Sequence, residues 1–189
     1  MRLILASGSP RRKELLENLG LEFQVIPSLC EEKIVDTDPV IIASSLAKQK
    51  AEDVAGRVKE GLVLGADTIV YLDGTILGKP RSKKEAVYML NLLKGKEHQV
   101  ITGVAVIDAL AKKSMVDYEV TKVFFRDLTE KEVKNYVEKG ESFDKAGAYG
   151  VQGLGSLLVQ RIEGCYFNVV GLPLTKVYLL LQRFGVEIL

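Results

Sequence analysis

Two long β-rich runs, residues 99–109 and Ser114–Phe125, are separated only by a short link containing Ala111-Lys112-Lys113. So short a link joins strands only as an antiparallel pair, because parallel neighbours need a crossover of a dozen residues or more. Around this pair the chain alternates short apolar runs with helical patterns. Residues 2–6 and 22–26 read as strands on either side of a helix over 10–19, with Ser9 as its N-cap, Pro10 as its first residue and Gly20 as its stop. Asp38 caps a second helix from Pro39, with Ile41, Ile42, Leu46, Ala47 and Ala51 at helical spacing. Residues 62–72 form an apolar strand that turns at Asp73-Gly74, a hairpin signal. Ser82 with Glu85, and Thr129 with Glu132, read as capping boxes of two further helices. Residues 156–162 and 166–170 look strand-like, and a helix over 173–184 closes the chain. βα units interrupted by a central hairpin predict an α/β fold with a mixed sheet flanked by helices.

The composition removes several classes of function. Of 189 residues, 47% are apolar, which excludes long disorder. Lys plus Arg number 26 against 25 Asp plus Glu, a net charge of +1, so bulk electrostatic binding to nucleic acid or an anionic membrane is not expected. No run has the ~20 apolar residues of a membrane span. The stretch after Met1-Arg2 holds only four apolar residues before Ser-Gly-Ser-Pro, so no secretory signal is expected. Cys30 and Cys165 form no CxxC and read as free, buried thiols. The single histidine, His98, lies in a charged turn and reads as a surface residue at a strand start. One histidine cannot build a two-histidine metal site, so carboxylates, cations and a hard metal ion are left to carry any chemistry.

Four segments concentrate that chemistry. The first is Ala6-Ser7-Gly8-Ser9-Pro10-Arg11-Arg12-Lys13, a strand entering a small-residue loop at a helix start. Acidic residues belong in a first helical turn, whereas this one carries three cations, and a bound phosphate would relieve their repulsion. The alternative is that they splay into water. The second is Gly65-Ala66-Asp67-Thr68: a carboxylate in an apolar strand is costly unless paired, hydrated or metal-bound. A structural hydrogen bond at a strand end would also account for it. The third, Gly78-Lys79-Pro80-Arg81, places Lys79 in a loop after the hairpin. The fourth runs from Asp144 to Gly153, where small residues allow close approach and Tyr149 and Gln152 offer a ring and an amide to a flat group such as a base. An ordinary glycine-rich loop is its bland alternative. Glu31 and Glu32 are a further oxygen pair that could hold a hard cation or face solvent. Lys48 and Lys50 read as a solvated helix face.

These segments, with Val170-Gly171-Leu172-Pro173-Leu174, stand in the order seen in the Maf family, and the chain resembles the branch of that family that hydrolyses dTTP and UTP rather than 7-methyl-GTP. The resemblance implies a cytoplasmic nucleoside triphosphate pyrophosphatase that releases a monophosphate and diphosphate with a divalent cation, Mg²⁺ or Mn²⁺. It implies one elongated domain over 1–189, two lobes around a cleft, with a fold like that of inosine triphosphate pyrophosphatases. Nucleoside triphosphate is the expected partner, with no nucleic acid and no membrane, and a homodimer is expected because family members are often dimeric. By motif, Asp67 would be the proton acceptor, and Arg12, Thr68 and Gln152 the specificity positions. Ser7, Ser9, Lys50 and Lys79 would join those three in binding substrate, and Glu32 with Asp67 would hold the metal. Two rivals stay open: a purine house-cleaning pyrophosphatase, and a non-enzymatic regulator of septum formation that senses nucleotides.

Overall fold

The structure, a computed structural model, describes residues 2–189; Met1, at the head of the stretch considered for a secretory signal, lies outside them. Its strands are β1 (Leu3–Leu5), β2 (Phe23–Val25), β3 (Leu62–Leu72), β4 (Thr75–Leu77), β5 (Glu97–Asp108), β6 (Ser114–Phe125) and β7 (Val159–Glu163). Its helices are α1 (Pro10–Glu17), α2 (Pro39–Ala55), α3 (Lys83–Leu93), α4 (Glu130–Glu138), α5 (Tyr166–Val170) and α6 (Leu174–Gln182), with 3-10 turns at Ala146–Ala148 and Gly153–Leu157. The strands form one mixed sheet in the order β2-β1-β3-β5-β6-β7, with β4 on β3. β1 runs parallel to β2 and β3, while β4 and β7 run antiparallel to β3 and β6. The mixed α/β class predicted from the sequence is therefore the class observed. No helix among the described residues is long and apolar enough to cross a membrane.

The chain packs as two compact units. The first comprises the chain up to Asp67, Thr102–Glu119 and Gly171–Leu189; the second is Thr68–Ile101 and Val120–Val170. In the first, Ile4, Ala6, Val63, Ala105 and Ile107 of the sheet bury against Ala47, Ala51, Val54 and Ala55 of α2. Asp38 opens α2 by accepting from the Val40 and Ile41 amides at 2.8 and 3.2 Å. One face of this helix repeats alanine every fourth residue, at 43, 47 and 51, and the sheet opposite has glycine at 65 and 103. A Cβ at Gly65 would overlap the Ala47 carbonyl oxygen and lie 2.9 Å from the Ala51 Cβ; one at Gly103 would overlap the Ala43 carbonyl. The helix backbone thus rests directly on β3 and β5, and this close seat fixes the side chains that α2 sends toward Asp67.

The second unit has its own core, in which Met89, Leu90 and Leu93 of α3 and Val133, Tyr136 and Val137 of α4 pack with Val70, Val100, Val123 and Phe125 of the sheet. The turn between β3 and β4 uses Asp73 and Gly74 at φ 47° and 86°, the two left-handed positions that the Asp-Gly signal foretells. The capping box of α4 is complete: the Glu132 carboxylate accepts from the Thr129 amide at 2.8 Å and the Thr129 hydroxyl accepts from the Glu132 amide at 3.2 Å. At α3 the box is shifted, since Ser82 accepts from Glu85 but the Glu85 carboxylate accepts from Arg81 at 2.7 Å.

The structure departs from the sequence pattern at several places. Residues 166–170 are helical, not a strand. Their β-branched pattern is overridden by Asn168, whose amide is buried and donates to Val100 O and Thr121 Oγ1, each at 2.9 Å. Residues 156–158 belong to a 3-10 turn and its end, and β7 begins only at Val159. Cys30 and Cys165 are free, as expected, but half-buried rather than buried. His98 is not a surface residue. It is 2% exposed, its Nε2 lies 2.6 Å from the Tyr149 hydroxyl, and its ring meets Phe125 edge-on at 5.1 Å.

Burial pushes the His98 pKa down to about 4 from 6.5. The imidazole is therefore neutral in the fold and protonates more readily in the unfolded chain, so its contribution to stability is full above pH 6.5 and is lost as the pH falls toward 4, roughly 3 kcal/mol in all. Because the chain has one histidine, its imidazole NMR signals need no assignment. They are expected to keep their neutral shifts down to about pH 4; a midpoint near 6.5 would contradict the buried placement.

Candidate active site

In the first unit the parallel register pairs Leu5 with Leu64, and the Ala6 amide extends the ladder to Leu64 O at 2.8 Å. The Ser7-Gly8-Ser9 loop thus leaves β1 alongside Ala66 and Asp67 of β3. Ser7 is nearly buried, and its Oγ accepts from the Ser9 amide at 3.3 Å, which curls the loop into α1. Ser9 occupies the N-cap position but its hydroxyl caps no amide, and the first turn of α1 has no acidic residue.

Two of the three cations at that turn behave differently. Lys13 is exposed and pairs with Glu17 at 3.4 Å, as the solvated reading of the cluster has it. Arg12 instead turns inward: Nε donates to Gly171 O at 2.8 Å, and Nη1 donates to Ala66 O at 2.9 Å and Ser7 Oγ at 3.1 Å. One guanidinium thereby ties the small-residue loop, the strand position before Asp67, and the Val-Gly-Leu-Pro segment. Desolvation lowers the Arg12 pKa from its ordinary value, an effect that the nearby Asp67 charge opposes.

Asp67 is buried, and its Oδ1 pairs with Lys50 Nζ. Lys50 Nζ also lies 2.8 Å from Glu32 Oε1, so one ammonium sits between the strand carboxylate and a loop carboxylate. The Lys50 side chain is only 17% exposed. It follows Gln49 on α2 but shares the buried face with Leu46, Ala47 and Val54, which is why it is not the solvated lysine that its composition suggests. Glu32 is half-exposed on the loop between β2 and α2, which has no regular structure.

The structure therefore brings Ser7, Ser9, Arg12, Asp67, Lys50 and Glu32 into one neighbourhood of one unit. The donor set fits a hard divalent cation. Glu32 and Asp67 supply only oxygen, and Mg²⁺ characteristically takes one or two carboxylates together with substrate phosphates rather than a full protein cage. Among the described residues no cluster of three or more metal-ligating side chains occurs.

In the second unit, Thr68 is half-buried immediately after Asp67, and Lys79 is exposed. The third and fourth segments meet there, since the Gly147 amide donates to Gly78 O at 3.0 Å. Gln152 is half-buried and extended just before the second 3-10 turn. Tyr149 does not offer its ring to a ligand: it is 4% exposed, packed edge-on against His98 and Phe125. The loop is held from behind by this ring and by Tyr136, whose hydroxyl accepts from Gly150 at 3.3 Å. Nothing in the sequence pairs His98 with Tyr149, 51 residues apart.

Known proteins give this arrangement its context. The family model described as Maf-like protein matches residues 2–184. The dTTP/UTP pyrophosphatase of Carboxydothermus hydrogenoformans is 49% identical over 185 residues, covering 98% of this chain and 100% of that protein. The dTTP/UTP pyrophosphatase of Alkaliphilus oremlandii is 52% identical over 191 residues, covering 100% and 99%. Among solved structures, the Staphylococcus aureus Ham1 protein matches with a TM-score of 0.50 at 15% identity over 67% of this chain and 73% of that one, a likeness of fold. Matched along almost its whole length by the family model and by both relatives, this chain belongs to the Maf-like protein family.

Proposed function

We propose that this chain hydrolyses dTTP and UTP between the α- and β-phosphates, releasing the monophosphate and diphosphate, and so cleanses the cytoplasmic nucleotide pool. The observation that carries the reading is the buried carboxylate of Asp67, paired with Lys50 and adjoining the Arg12-bound loop at the start of α1. The relatives named dTTP/UTP pyrophosphatase, 49% and 52% identical, support the choice of substrate.

The chemistry follows from charge. A triphosphate repels an attacking hydroxide, so the site must cancel negative charge and generate the nucleophile only at the point of attack. The start of α1 offers amide N–H groups and the positive end of the helix dipole to phosphate oxygens, and Arg12 keeps the loop in shape. Lys50 adds positive charge where negative charge gathers on the leaving diphosphate. Asp67 accepts the proton of the water that attacks the α-phosphorus. A divalent cation held by Glu32 and Asp67 would neutralise phosphate charge and align the reacting groups.

Gln152 carries both an amide donor and carbonyl acceptors, the combination that the O4 and N3–H edge of thymine or uracil requires. With purified protein and Mg²⁺, diphosphate release is expected to be fastest for dTTP and UTP in a panel with CTP, dGTP and 7-methyl-GTP, and to require the metal. A purine preference would reject the pyrimidine reading. No release from any nucleotide would favour a nucleotide-sensing regulator.

A further inference from the structure

The loop that carries Glu32 runs from β2 to α2 without regular structure; Ile26 at its start packs against the core, but the apolar side chains nearer Glu32 do not hold it down. Leu29, Ile34 and Val35 are 80%, 61% and 81% exposed. A carboxylate on such a loop would be a poor ligand, because its position would cost entropy each time it was used. Yet Glu32 sits 2.8 Å from Lys50.

What fixes it is a polar stripe on α2. Ser45, Gln49 and Asp53 recur every fourth residue and so share one side of the helix. Gln49 grips Lys33, the residue after Glu32, by both main-chain groups: Oε1 accepts from Lys33 N and Nε2 donates to Lys33 O, each at 2.9 Å. The same Nε2 is oriented by Ser45 Oγ at 3.1 Å. On the other side of Glu32, Asp53 Oδ2 accepts from the Leu29 amide and the Ser28 hydroxyl, each at 2.9 Å. Arg57 donates to the same oxygen at 2.9 Å and to Pro27 O at 2.8 Å.

We propose that Gln49 is a positioning residue that, with Asp53, clamps residues 28–33 to α2 so that Glu32 is held ready for the divalent cation. The inference rests on the metal-assisted reading given above. α2 thus serves the site twice: Lys50 reaches Asp67 from the buried face, while the neighbouring Gln49 and Asp53 secure the loop. A residue that orients a metal ligand typically costs 10–100-fold in metal affinity when removed.

The test is Mn²⁺ binding, followed by electron paramagnetic resonance, to the full chain saturated with the α,β-imido analogue of dTTP, which is not hydrolysed. Gln49→Met keeps the length of the side chain and loses both bonds to Lys33. It is expected to weaken Mn²⁺ binding about tenfold, with little change in turnover at saturating metal or in the unfolding midpoint. Asp53→Ala, freeing the other end, should act in the same direction. Lys48→Met, on the exposed side of α2 and paired with Glu52 at 3.5 Å, should match the wild type. Unchanged Mn²⁺ affinity in Gln49→Met, or a fall in unfolding midpoint and turnover without a shift in affinity, overturns the proposal. Failure of the wild type itself to bind Mn²⁺ with the analogue would instead reject the metal-assisted reading, and the clamp's role with it.

Discussion

Asp67→Asn should lower the turnover of dTTP by roughly 10²–10⁴-fold, the span that a positioned general base contributes, while the affinity for the triphosphate is kept or tightened. The substitution preserves shape and hydrogen-bonding reach but removes the basic lone pair and the negative charge. Removing that charge leaves Lys50 paired with Glu32 alone and reduces repulsion of the incoming phosphates. The loss therefore belongs on kcat and not on binding, about 3–5 kcal/mol of transition-state stabilisation. Triphosphate affinity measured on the variant separates this account from a general collapse of the site. A weaker affinity at unchanged kcat would mean that Asp67 serves binding rather than proton transfer.

The second large effect concerns the seat of α2. Gly65→Ala places a methyl group against the Ala47 carbonyl oxygen and 2.9 Å from the Ala51 Cβ. These atoms belong to a helix backbone and a Cβ, which have no rotamer by which to escape, so the whole helix must retreat from the sheet. Overpacking of this kind is expected to cost about 2–3 kcal/mol, more than the modest gain from stiffening the unfolded chain. The midpoint of urea unfolding should fall accordingly. Gly56→Ala is the control. Gly56 lies at the end of the same helix with right-handed backbone angles, and its Cβ would come no closer than 3.4 Å to the Glu52 carbonyl oxygen. It should leave stability unchanged or raise it by up to about 1 kcal/mol. Since α2 carries Lys50, the folded fraction of Gly65→Ala should also turn over more slowly. If Gly65→Ala unfolded at the wild-type midpoint, the direct seat of α2 on β3 would be wrong.

The sequence is most readable where a local cause suffices. The Asp73-Gly74 turn needs two left-handed residues, and those residue types announce it. Thr129 and Glu132 cap α4 because their spacing alone lets each reach the other's amide. Asp67 stands out because a carboxylate in an apolar run needs a reason. Its reason, however, is Lys50, 17 residues away: helical spacing sets that lysine on the buried face of α2 with Leu46 and Val54, but nothing in the sequence pairs it with Asp67. The same limit hides the buried pair of His98 and Tyr149. Each residue has a plausible exposed reading by itself, and only the folded chain brings an imidazole and a phenol within 2.6 Å. Residues 166–170 fail for a related reason, because five residues are too few to show a helical period and the contacts of Asn168 decide the matter. Gln49 is the plainest case: a glutamine on a helix carries no signal until the loop it grips is in place.

In the proposed reaction a proton leaves water for Asp67 while the phosphates rest at the start of α1. Its most direct test is single-turnover release of diphosphate from dTTP and Mg²⁺, by rapid quench, with wild-type protein and Asp67→Asn each saturated with substrate. The expected result is a rate in the variant at least about 100-fold slower, with the triphosphate still bound. A variant that releases diphosphate at nearly the wild-type rate would contradict it.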